Sequence, residues 1–166
     1  MVPSSSSPSQ NRQRMPESTP VATLTTLRRL LLGILLFGLV GTATELTLIG
    51  HDEDGWQMIP LVVLTMASLA SGAMLAIGDR AWVPPAFRAV MLLLMLSGAM
   101  GAVLHYRANM EFKLEMDPSL GGFALFYSVV RAKAPPALAP GNMSLLGLIG
   151  LACAFRLDVS STTRRS

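Results

Sequence analysis

MIPLVVLTMASLASGAMLAI, residues 58–77, decides the fold. Its twenty residues carry no charge. At a rise of about 1.5 Å per residue, a helix of this length matches a hydrocarbon core about 30 Å thick. Pro60 falls in the first turn, where its missing N–H costs little. Trp56 and Trp82 flank the stretch at its two ends, as an aromatic belt does at two membrane surfaces. Ser68, Gly72 and Ala76 recur every four residues, a stripe of small side chains that lets two helices approach closely.

Working outward, three more blocks read the same way. Residues 30–50 hold one charge, Glu45, and follow Arg28 and Arg29. Basic residues, an apolar run and small residues near Ala43 also describe a cleaved signal peptide. The long preceding tail and the return of the apolar pattern at Leu46 to Ile49 favour a span instead. Residues 87–106 follow Pro84-Pro85, a helix start, and repeat the small-residue spacing at Ser97/Gly101 and Gly98/Ala102. Residues 138–155 carry no charge but are the shortest block. Counted from Pro140, that helix needs bilayer thinning or protein contacts to cross. Composition agrees: 51% of the chain is hydrophobic and 14% charged, against about 25% charged in a soluble domain. The expectation is an all-α integral membrane four-helix bundle, solvated by the lipid bilayer.

Residues 1–26 are Ser/Pro-rich with little to bury, which predicts a disordered tail. Residues 157–166 form a second tail. Between spans three and four lies the longest connection, 107–136. Met110-Glu111-Phe112-Lys113-Leu114-Glu115-Met116 alternates apolar and polar, which predicts an extended strand. Asp117-Pro118-Ser119 then predicts a helix start. The following 120–130 is apolar and aromatic, too short to span, and reads as an interfacial amphipathic or re-entrant segment. A fifth span is the alternative.

Basic residues orient the chain. With four spans, one side carries Arg12, Arg14, Arg28, Arg29, Arg80, Arg88, Arg156, Arg164 and Arg165; the other carries Arg107, Lys113, Arg131 and Lys133. That imbalance places both termini in the cytoplasm. The chain has 13 Lys+Arg against 10 Asp+Glu, a surplus better read as topology than as affinity for nucleic acid. No basic stripe interleaved with aromatics argues for a nucleic-acid partner.

The sequence contains no phosphate-binding glycine loop, CxxC, HExxH or GxSxG. Cys153 stands alone and reads as a small packing residue. The topology brings the two histidines, His51 and His105, to one outer face. There they are candidate metal ligands, with Asp52 completing the set, or axial ligands of a haem. The plainer reading makes His105, Tyr106 and Arg107 the interfacial end of a span, and His51-Asp52-Glu53-Asp54 a solvated turn. Glu45 lies inside its span, where an ionisable group is costly and marks either an interhelix pair, with Arg107 or His105 at comparable depth, or ion and proton handling. The eleven methionines are scattered and read as lipid-facing or packing residues rather than a copper site.

Three segments, GHDEDGWQMIPLVVL (50–64), LHYRANMEFKLEMDPSL (104–120) and PPALAPGNM (135–143), in that order, resemble those of small bacterial multi-spanning membrane proteins without an assigned function. The resemblance covers about residues 27–156 and carries no catalytic motif. It implies a bacterial inner-membrane protein outside the known transporter and enzyme families. Three roles follow from the residues: a non-enzymatic accessory or structural subunit associated with other membrane subunits, a redox or metal-binding subunit using His51 and His105, and a small oligomeric transporter or proton-coupled carrier centred on Glu45.

Overall fold

The computed structural model describes residues 20–50, 55, 58–132 and 138–154. Among them every regular element is helical: α1 (Pro20–Leu48), α2 (Met58–Ile77), α3 (Val83–Met116), α4 (Gly122–Val130) and α5 (Leu138–Ala154). Three of these, α1, α2 and α3, are long and apolar enough to cross a membrane. α5 has 17 residues. At that length it extends about 26 Å and falls just short of a core of about 30 Å.

Local chemistry explains most boundaries. α1 closes at Gly50, whose φ of 70° is the left-handed conformation that ends helices. The Gly50 N–H donates to the Thr47 carbonyl at 3.1 Å. α1 begins at Pro20, within the stretch that composition assigns to the tail. α2 matches the expected block residue for residue. α3 starts at Val83, with proline in its first positions where no N–H is missed.

At its far end α3 departs from expectation. The strand predicted over 110–116 does not form, and α3 runs unbroken to Met116. Seven alternating residues satisfy both periods: Tyr106, Asn109, Met110, Lys113 and Leu114, spaced three and four apart, are the partly covered ones, while Glu111, Phe112, Glu115 and Met116 face out. Met, Glu, Lys and Leu are good helix formers, and no breaker intervenes before Pro118. The helix start predicted at 117–119 is likewise displaced. Asp117 instead ends α3 in an extended conformation (φ −147°, ψ 94°) and accepts from the Ser119 N–H at 3.0 Å and hydroxyl at 2.6 Å. These two bonds hold the Asp117 carboxyl below its usual range. α4 begins at Gly122, where a φ of 52° accommodates the reversal. It turns Leu125, Ser128 and Val129 inward and leaves Phe123, Phe126, Tyr127 and Val130 outside.

α1 packs against α2 and α5, and α3 packs against the same two, α3 with α5 most extensively. The shared core is filled by Leu35, Leu39, Leu64, Ala67, Met91 and Leu94, none of them exposed. Two polar residues join it. Ser71 donates to the Ala67 carbonyl at 2.8 Å, and Thr42 to that of Gly38 at 2.9 Å. Each hydroxyl is thus satisfied by its own helix. The outward faces carry large apolar side chains, among them Phe37 at 82% and Leu48 at 81% exposure. A surface of that kind is a liability in water and ordinary in lipid.

Candidate functional site

The site region is built by α5 and the two helices that flank it. α3 and α5 meet almost backbone to backbone. A Cβ on Gly147 would come within 2.8 Å of the Met91 carbonyl and the Met95 nitrogen, and one on Gly98 within 2.5 Å of the Pro140 carbonyl. The Ser144 hydroxyl donates across this seam to the Met95 carbonyl at 3.1 Å. Gly101 meets Pro140 in turn, so the two helices run antiparallel.

α1 runs antiparallel to α5 on the other side. Leu35 lies level with Gly150 and Gly38 with Leu146, and the Asn142 amide donates to the Thr42 hydroxyl at 2.7 Å. Thr42 therefore accepts from α5 while donating within α1, a relay that joins the two helices. In this register Glu45 stands level with the first turn of α5 on one side. His105, one turn beyond Gly101, stands at the same end on the other.

Glu45 and His105 are brought to one end but not together. α1 and α3 are not among the extensively packed helix pairs, because α5 and α2 lie between them. Both residues are exposed. The Glu45 carboxylate has no hydrogen-bond or ion-pair partner among the described residues, so neither Arg107 nor His105 satisfies it there. Glu45 shares an outward face of α1 with Ile34, Phe37, Gly41 and Leu48, all exposed, and open space lies beyond Gly41. His51 and Asp52 lie outside the described residues. Among the described residues no three His, Cys, Asp or Glu side chains gather as metal ligands would.

Next to His105, Tyr106 meets α4: its ring lies 6.2 Å from that of Phe126, which is 6.2 Å from Phe123. Arg131 donates to the Tyr127 hydroxyl and lies 5.2 Å from the centre of the Tyr127 ring, within reach of a cation–π interaction. Rings on the outside and a cation at the end make α4 a polar-tipped aromatic surface.

A groove of about 510 Å³ opens between α1 and α2, lined by Val40, Ala43, Thr44, Thr47, Thr65 and Ser68 among others. It is not a polar path, since each of these four hydroxyls donates to the carbonyl four residues earlier in its own helix.

At the opposite end of the molecule lies a group that a count of charges does not single out. Arg28 continues the buried face of α1, four residues before Leu32 and seven before Leu35. Its Nε is buried without a hydrogen-bond partner among the described residues. Arg88 of α3 donates from Nη2 to the carbonyl of Ala154, at the C-terminus of α5, at 3.0 Å. The signal for Arg28 is present in the spacing 28-32-35-39, which puts an arginine in line with core leucines.

No protein-family model matches the chain, and no curated protein or solved structure is significantly similar to it.

Proposed function

We propose that the chain is a four-span protein of a bacterial inner membrane with both termini cytoplasmic, and that it serves as a non-enzymatic accessory or structural subunit of a membrane complex. In this reading α1, α2, α3 and α5 form a four-helix membrane bundle and α4 lies in the outer interface on its aromatic face. α5 crosses despite its length because its contacts with α1 and α3 shield one side of it and the bilayer thins locally.

The observation that carries the subunit role is the outward face of α1. An ionisable side chain inside a span normally turns toward the interior of its own bundle or a partner. Glu45 instead lies on an exposed face, four residues from a glycine with open space beyond it. A small residue permits close approach by a helix, and a carboxylate gives that helix a polar group to recognise. The core behind this face is filled by side chains at 0% exposure, which favours a packing role over a path through a single copy.

Gentle detergent extraction followed by native mass measurement tests the reading. The expected result is a hetero-oligomer that loses its partner in Glu45→Gln; a monomer with no partner contradicts it. A proton-coupled carrier rests on the same carboxylate. A flux abolished in Glu45→Gln, with no partner in the native mass, would select that role instead.

A further inference from the structure

We propose that Arg28 and Arg88, at the C-terminal end of α5, hold the phosphate of an acidic phospholipid. The proposal rests on the reading above only in placing this end of the bundle at a membrane surface.

The antiparallel register puts Leu35 level with Gly150, so Arg28, two turns further back on α1, stands at and just beyond the last turn of α5. From the other flank, Arg88 reaches the same turn and takes up the Ala154 carbonyl. Cations at a helix C-terminus are favourable in general, which accounts for Arg88. It leaves Arg28 unexplained, because its Nε–H is buried and has no acceptor among the described residues. A buried donor in that state is costly and calls for an acceptor.

The charge balance says where the acceptor comes from. Among the described residues, Arg28, Arg29, Arg80 and Arg88 lie at this end and Asp79 is the single acid. Arginines thus outnumber acids among the described residues at this end. The planar fork of arginine matches phosphate oxygens two at a time. Basic pockets between helices on the cytoplasmic side are suited to acidic headgroups. Here the exposed apolar residues Leu30, Leu31 and Ile34, on the bilayer side of the cations, offer a surface for acyl chains.

The full chain in neutral detergent is titrated with phosphatidylglycerol, phosphatidylcholine or inorganic phosphate while Tm is followed. Phosphatidylglycerol raises Tm by about 5 °C, as ligand linkage predicts near saturation, and phosphatidylcholine and inorganic phosphate leave it in place. Arg28→Gln loses the rise, Arg28→Lys retains part of it, and Arg131→Gln, at the other end of the molecule, retains all of it. An equal rise with phosphatidylcholine, or an undiminished one in Arg28→Gln, overturns the site. An equal rise with inorganic phosphate overturns the lipid assignment. If Arg28→Gln does not fold, Arg28→Lys decides, since a full rise in that variant shows that the guanidinium fork is not used. The titration does not depend on how often the chain crosses, so a negative result leaves the four-span reading standing.

Discussion

Two helix pairs in this molecule draw on small residues at similar spacing and use them in opposite ways. Between α3 and α5, Gly98 lies against the backbone of Pro140 and Ser144 and Gly147 against that of Met91 and Met95, and there is no room at either for a Cβ. Between α1 and α2, the stripe Ser68-Gly72-Ala76 meets no such partner. A Cβ on Gly72 would touch nothing within 4 Å, and a groove opens where Ser68 stands. The difference lies in the facing helix. α5 brings glycines and Ser144 to the seam, whereas α1 brings Val40, Leu48 and the threonines to the groove. A small-residue stripe predicts close approach only when the opposite surface is also small.

The close seam is most sensitive at Gly147. Even a Cβ there would stand 2.8 Å from backbone atoms of Met91 and Met95. For Gly147→Leu we therefore expect a loss of more than about 3 kcal/mol, read as a large drop in Tm in detergent. A near-normal Tm would mean that the two helices can separate at little cost. Ser144→Ala removes the cross-seam bond to Met95. It should cost about 0.6–1 kcal/mol, which unfolding in a denaturing-detergent titration reads directly. On the open side the sign reverses, because nothing stands within 4 Å of a Cβ at Gly72. Gly72→Ala should stabilise by about 0.5 kcal/mol through helix propensity. A destabilised protein would reveal a partner seated there. Smallest of all is Thr65→Val in the groove wall, whose hydroxyl donates to the Leu61 carbonyl of its own helix. Its Tm should change by less than the equivalent of about 0.5 kcal/mol.

Much of the fold is legible because lipid imposes length. Residues 58–77 are read to the residue, since charge on both sides and a proline in the first turn leave no freedom. Residues 110–116 mislead because seven residues cannot separate a period of two from a helical one; only the helix arriving from above decides. The shortness of α5 is legible, and its role is not: nothing in the string LAPGNMSLLGLIGLACA announces that Gly147 will meet Met91 and Met95 rather than lipid. Of the candidate site, sequence places Glu45 and His105 at one end through topology, but it does not show that α5 stands between them. Arg28 is the reverse case. Its period is in plain view, yet a basic residue ahead of a span reads first as a topological charge.

Whether the chain crosses four times depends on α5. With Cys153 replaced by alanine, single cysteines at positions 119 and 166 can be labelled by a membrane-impermeant thiol reagent from either side of intact cells and inverted vesicles. With four crossings, position 119 reacts only from outside and position 166 only from the cytoplasm. Reaction of both from the same side would mean that α5 does not cross, or that α4 crosses as well, and would contradict four crossings.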